Sequence, residues 1–211
     1  MQIPGGDKTL TRKLSFTLPP GKSVLIMGAS GTGKSSLLRT IAGLWQSGEG
    51  SIERPKLNSL IFLSQRPYMV QGSLRAQLVY PQSEEGADDQ VIKAALEQVN
   101  FTEVLDRVDG DLSRTVDWTN ILSLGEQQRV SFARIFLRKP VLAFLDEATS
   151  SLDEANEREL YLGLRGLGIS YVSVGHRSTL KEFHDHLIVL NRDGTAEISN
   201  LTHDGQTDMP Q

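Results

Sequence analysis

Short apolar runs alternate with stretches of helical spacing along most of this chain. Leu14–Leu18 alternates apolar with polar residues, which predicts a half-exposed strand, and Pro19-Pro20-Gly21 turns the chain after it. Ser23–Met27 is a short apolar run that reads as a buried strand. A glycine-rich turn follows, and Lys34–Leu44 then places Leu37, Leu38, Ile41 and Leu44 at helical spacing. Asn58–Leu63 is a further strand candidate. From Pro67 to Pro140 the pattern becomes helical, with candidates at Ser73–Leu78, Asp88–Val99 (Asp88 as N-cap) and Glu126–Leu137. Strands return at Val141–Leu145, Ser170–Val174 and His186–Leu190, with a helix over Glu154–Leu167 between the first two. This order predicts an α/β fold with a mostly parallel sheet, a small N-terminal antiparallel β part and an inserted α-helical lobe. The α/β core is expected over 1–66 and 141–199, the lobe over 67–140, and a frayed polar tail over 200–211.

Composition narrows the classes only a little. The 26 acidic against 22 basic residues give a net charge of −4, which argues against a broadly basic nucleic-acid surface. With no cysteine, disulfides, thiolate metal sites and cysteine nucleophiles are excluded. No apolar stretch approaches the roughly 20 residues that a membrane-spanning helix needs. The first residues lack the basic-then-apolar pattern of a signal peptide, so the piece is expected to be soluble.

The segment Gly28-Ala29-Ser30-Gly31-Thr32-Gly33-Lys34-Ser35 fits G-x-x-x-x-G-K-[ST] at every fixed position. Glycines let the backbone fold tightly around phosphate oxygens with successive N–H groups pointing inward. The helix that starts near Lys34 and runs on through Ser36 adds its N-terminal dipole. Lys34 is placed to meet the β- and γ-phosphates, and the Ser35 hydroxyl to ligate Mg2+. A chance glycine-rich turn would not need an apolar strand before it and an amphipathic helix after it, and this one has both. The fold class sharpens to a P-loop nucleotide-triphosphatase core.

Val141–Leu145 is apolar and is followed by Asp146-Glu147. A buried parallel strand that delivers carboxylates at its C-terminal end is where an α/β sheet builds a site. Asp146 would hold Mg2+ directly or through water, and Glu147 would orient and polarise an attacking water. An acid at a strand end is common, and it is the phosphate loop that gives this pair its weight.

Leu122-Ser123-Leu124-Gly125-Glu126-Gln127-Gln128-Arg129 resembles the signature sequence of ABC ATPases. Physically, Ser123 and Gly125 at a helix start make a second anion cradle of hydroxyl, bare backbone and dipole. An N-cap role for Ser123 is compatible with that. The family usually has Gly at or near Leu124 and Gln where Glu126 stands. Further matches fall in the family's order. Gln65 resembles the glutamine that senses Mg2+ and couples to a membrane domain. Ser150-Ser151-Leu152-Asp153 resembles the loop that crosses to a partner subunit, and His176 resembles the switch histidine at the γ-phosphate. Gly43-Leu44-Trp45, Gln65-Arg66-Pro67-Tyr68, Tyr80-Pro81, Asp117-Trp118 and Gly175-His176-Arg177 look like the D subfamily of half-transporters.

The resemblance implies a single ATPase domain spanning 1–211 at the cytoplasmic face of a membrane. It would bind ATP and Mg2+ in a head-to-tail dimer with a second copy. A transmembrane domain of the same parent polypeptide would be the other partner, and nucleic acid none. Glu147, His176 and Lys34 would be the catalytic residues. A soluble ABC ATPase of repair or translation is the alternative, and those usually carry a long coiled-coil insertion or two cassettes. A P-loop kinase or GTPase would leave Ser123–Arg129 unexplained. One departure is that Phe16 is the only aromatic residue before Gly28, so base stacking would be missing or fall to Ile3 or a neighbour. His184-Asp185-His186 reads as a solvated loop rather than a metal site, and Trp45 and Trp118 read as packing residues.

Overall fold

The computed structural model describes residues 11–45, 48–201 and 207–208. It divides into two compact units. One holds the described residues up to Phe62, together with Val141–Glu147 and the chain from Gly168; the other holds Leu63–Pro140 and Ala148–Leu167. Segment 148–167, grouped with the core on sequence, thus clusters with the helical unit.

The first unit is built on a sheet. Its strands are β1 (Ser23–Gly28), β2 (Leu60–Leu63), β3 (Leu142–Asp146), β4 (Ser170–Val174), β5 (His186–Leu190), β6 (Ala196–Leu201) and β7 (Thr207–Asp208). They lie in the order β2-β3-β4-β1-β5-β6-β7. Strands β3/β4, β4/β1 and β1/β5 pair in parallel, with Val24 opposite both Val172 and His186. The antiparallel pairing lies at the other edge, where β5 meets β6 with Ile188 opposite Ile198. Central strands covered on both faces must be apolar throughout, which is why β1 and β3 read as continuous runs.

Helix α1 (Lys34–Ala42) packs Leu37, Leu38 and Ala42 into one cluster with Val24, Ile26, Phe144, Val172 and Val174. Each buried Val, Leu, Ile or Phe side chain of this cluster contributes about 1.5–3 kcal/mol relative to exposure. Gly33 and Gly43 bound the helix in left-handed conformations, and the Gly43 N–H closes on the carbonyls of Arg39 and Thr40.

Leu14–Leu18 does not form the expected strand. Leu14, Phe16 and Leu18 do pack against the core while Ser15 and Thr17 face solvent. Burial with period two does not require a ladder, and among the described residues no strand pairs with this segment. The expected tail is also less frayed than its composition suggests, because Asn200 and Leu201 complete β6 and pair with β7. Residues 202–206 and 209–211, like Ile3, lie outside the described residues.

The second unit is helical, with α2 (Leu74–Val79), α3 (Asp89–Gln98), α4 (Trp118–Ile121), α5 (Leu124–Arg138) and α6 (Glu154–Gly166). Asp88 is the N-cap of α3 and accepts from the Gln90 N–H. Ser73 caps α2 and Asp153 caps α6 in the same way. Both α2 and α3 pack on α5. Trp118 is 1 % exposed and donates its indole N–H to the Gly72 carbonyl at 2.9 Å, so its role is packing. Arg134 is buried along α5. It donates to the carbonyls of Gln77 at 2.7 Å and Tyr68 at 3.0 Å and lies over the Tyr80 ring. Burial lowers its pKa to about 10, against the opposing influence of Tyr80.

Candidate functional site

The phosphate loop grows out of β1. Its last residue, Gly28, has φ +144 and pairs with Leu190. A Cβ there would lie 2.4 Å from the Leu190 carbonyl oxygen, so only glycine permits this approach of the two strands. Ala29, Ser30 and Gly31 form an exposed rim, and the Thr32 hydroxyl ties back to the Ala29 carbonyl at 2.9 Å. Gly31 and Gly33 both have positive φ, which turns successive N–H groups toward one concavity at the start of α1.

Lys34 is only 6 % exposed and donates to the carbonyls of Gly28 and Ala29, both at 3.0 Å. Burial lowers its pKa, and the carboxylates of Glu147 and Asp146 oppose that shift.

Strand β3 delivers the acids. Asp146 accepts the Ser35 hydroxyl at 2.6 Å and an Arg39 guanidinium N–H at 3.2 Å. Ser35 and Asp146 are two hard oxygen donors in contact. That suits Mg2+, which takes one or two protein oxygens and completes its octahedron with phosphate and water. Ser36 follows on α1, with its carbonyl accepting from the Thr40 hydroxyl.

Glu147 leaves the strand in a left-handed conformation, φ +52, with its N–H on the Val174 carbonyl at 3.1 Å. A non-glycine residue held there costs on the order of 1–2 kcal/mol, and such strain gathers at functional positions. Its carboxylate lies 2.8 Å from His176 Nε2, beyond the end of β4. The structure therefore brings Lys34, Ser35, Asp146, Glu147 and His176 together in the sheet unit.

A second group forms in the helical unit. Ser123 is the N-cap of α5 in a full capping box. Its hydroxyl accepts from the Glu126 N–H at 3.3 Å and its own N–H donates to the Glu126 carboxylate at 2.8 Å. A Cβ on Gly125 would meet the Ser151 carbonyl oxygen at 2.9 Å, so the glycine lets segment 150–152 lie against the helix start. Gln65 is exposed in this same unit, and its carbonyl accepts from Gln128.

Sequence reasoning missed three residues here. Gln128, 0 % exposed, donates to the Gln65 carbonyl at 2.9 Å and to the Ser150 hydroxyl at 3.4 Å, and accepts from the Ser151 N–H at 3.0 Å. One amide thus links three of the sequence motifs. Its signal was a polar residue in register with Phe132 and Ile135 on the buried face of α5. Arg39, one turn beyond Ser35, holds Asp146. Arg107 grips Glu126, and nothing in the sequence marks it.

Of the groups set aside on sequence, His184 is 1 % exposed rather than solvated, with Nδ1 at 2.7 Å from the Leu180 carbonyl. Asp185 binds Lys22 and Ser23, and His186 meets Asn200. Among the described residues no cluster of three or more His, Asp or Glu side chains could hold a metal ion by itself.

The family model described as "ABC transporter" matches residues 11–150. An uncharacterised ABC transporter ATP-binding protein of Synechocystis is 50% identical over 200 residues, which is 95% of this chain and 30% of that protein. The human lysosomal cobalamin transporter is 41% identical over 211 residues, 95% of this chain and 35% of its own length. Human ATP-binding cassette sub-family D member 3 is 38% identical over 209 residues, 97% of this chain and 31% of its own length. The structure of a bacterial Atm1-family ABC exporter with ATP bound superposes with a TM-score of 0.76 at 25% identity, covering 90% of this chain and 35% of that one. This chain spans about a third of the length of the relatives it matches.

Proposed function

This chain belongs to the ABC transporter family, as one of its ATP-binding domains, and on that footing we propose that it hydrolyses ATP as one half of a head-to-tail dimer and so powers a membrane domain. The observation that carries the reading is the 2.8 Å contact between Glu147 and His176, set beside a phosphate loop whose Ser35 touches Asp146. The other anion cradle, at Ser123 and Gly125, belongs to the helical unit of the same chain. In this reading neither half-site alone would enclose a γ-phosphate. ATP held by the loop of one copy would be completed by Ser123 and Gly125 of the other.

Lys34 and the N–H groups of residues 29–33 would neutralise and orient the phosphate oxygens. Glu147 would align a water for in-line attack and accept its proton. His176 would hold that carboxylate in place and face the γ-phosphate, which fits its exposed ring and its contact with Glu147. Mg2+ would be held by Ser35 and Asp146, which touch, and would supply positive charge to the developing transition state. Transport is the proposed output, because the relatives are transporters or transporter ATP-binding proteins about three times this chain's length. No described helix is long and apolar enough to cross a membrane, so the spanning part would belong to a larger parent. The domain would then work at the cytoplasmic face of that membrane.

The test is sedimentation of Glu147→Gln with and without Mg-ATP, alongside wild-type ATPase rate against protein concentration. An ATP-dependent dimer and a specific activity that rises with concentration are expected. Normal turnover by Glu147→Gln would remove that residue from its role. Specific activity independent of concentration would refute the shared site.

A further inference from the structure

Glu126 is a charge problem at an anion site. It occupies the third position of α5, and its carboxylate sits in the first turn of the helix whose end would meet a triphosphate in the reading above. A like charge about 6 Å from a phosphate, at an effective dielectric near 20, lowers affinity on the order of a hundredfold. Glu126 cannot simply be absent, since its carboxylate accepts the Ser123 N–H and completes the capping box.

Arg107 answers both demands. Its guanidinium reaches both carboxylate oxygens of Glu126, one through NH2 and the other through NH1 at 3.3 Å. NH1 also donates to the Ile121 carbonyl at 3.1 Å, directly before the signature segment. The same group lies 5.9 Å from the ring centroid of Phe101, a fully buried side chain. A second guanidinium, Arg129, stands 5.6 Å from that ring and donates to the Asn100 carbonyl. Phe101 is thus a fixed aromatic mount for two cations beside the start of α5. Burial pushes the Glu126 carboxyl up, but the bonds from Arg107 and Ser123 outweigh it and hold the group below the ordinary range, so it is an anion and needs its counter-charge.

The capping geometry leaves the ligand donors intact. Because the Ser123 oxygen accepts the Glu126 N–H, the hydroxyl proton is turned elsewhere. The N–H groups of Leu124 and Gly125, in the first turn of α5, have no intrahelical acceptor.

We propose that Arg107 is a positioning residue of the signature half-site, which cancels the charge of Glu126 while leaving its capping bonds in place, so that Ser123 and the first-turn amides can receive the γ-phosphate of ATP bound to another copy. This rests on the head-to-tail reading above. It assigns to Arg107 a role that no bond to ATP of its own would reveal.

The experiment uses this chain carrying Glu147→Gln, with dimer affinity measured by sedimentation in Mg-ATP. Arg107→Gln is expected to weaken the ATP-driven dimer at least tenfold, while a fluorescent ATP analogue binds the monomer unchanged. Adding Glu126→Gln to Arg107→Gln removes the charge that needed cancelling and is expected to restore affinity to within threefold of the parent. Arg107→Lys keeps the charge without the fork and is expected to stay within threefold as well. An Arg107→Gln dimer as tight as the parent overturns the proposal. So does a double variant as weak as Arg107→Gln alone, because a purely structural arginine is not rescued by neutralising its partner. Thermal melts accompany each variant. Should Arg107→Gln melt below the assay temperature, Glu126→Gln alone decides: affinity equal to or above the parent supports the proposal, and a loss beyond threefold overturns it. Failure of the parent itself to dimerise would overturn the head-to-tail reading before any Arg107 variant is compared.

Discussion

Gly28→Ala and Gly31→Ala make the same chemical change in the same loop, and the structure separates their costs sharply. At Gly31, φ is +79 and an added Cβ meets nothing within 4 Å. Its cost is the left-handed penalty alone, about 1–2 kcal/mol, less about 0.4–1 kcal/mol from the stiffer unfolded chain. A net loss of about 0–1.5 kcal/mol follows. At Gly28, φ is +144, and the Cβ would lie 2.4 Å from the Leu190 carbonyl oxygen and 3.1 Å from the Thr32 hydroxyl. The backbone strain is about 1–3 kcal/mol, and forcing β1 from β5 adds about 1–3 kcal/mol of overpacking. After the same unfolded-state offset, a net loss of about 1–5.5 kcal/mol is expected, a large share of the ~5–15 kcal/mol that holds a typical domain. Urea unfolding followed by circular dichroism reads both, with equal slopes marking a pure stability change. If Gly28→Ala is no more costly than Gly31→Ala, the close approach of β1 to β5 is not what requires glycine, and the argument fails.

Gln128→Leu keeps the volume but removes the buried amide that bonds the Ser151 N–H and the Gln65 carbonyl in the helical unit. A loss of about 2–4 kcal/mol in urea unfolding is expected, and one under about 0.5 kcal/mol would show that water replaces the amide. Asp185 is a pH probe. Burial raises its pKa, yet the bonds from Lys22 and Ser23 outweigh that and leave it below the ordinary carboxylate value. The folded state therefore holds this proton more weakly than the unfolded chain. The advantage of wild type over Asp185→Asn should be full above about pH 5 and vanish as pH falls through the lowered value. A difference that stays constant from pH 7 to pH 3 would refute that origin.

The parallel strands were legible because burial on both faces forces apolar runs, and Ser170–Val174 and His186–Leu190 fall where the pattern put them. Helix α5 begins two residues earlier than its spacing suggests, since the cap at Ser123 starts it at Leu124. The strand Ala196–Leu201 escaped notice: its register against β5 is a tertiary fact, and local preference disfavours Asn200 there. His184 looked solvated because polar neighbours surround it in sequence, while in space its ring meets Tyr171 edge-on. The phosphate loop and the acids of β3 were readable as motifs, because backbone curvature and strand direction fix their spacing. Gln128 and Arg107 act through partners up to 63 residues distant in the chain, which no local pattern encodes.

The sheet order carries a cost during synthesis. Strand β1 lies between β4 and β5, and Ser23 meets Asp185 across 162 residues of chain. At a ribosomal pace of 5–20 residues per second, an apolar central strand waits about 8–30 s for either neighbour. Over that interval it is a sticky segment with open edges, and pairings of such long range form slowly even once available. Gly28 takes its final place only against Leu190, so the nucleotide pocket is among the last features of the newborn chain to acquire its shape.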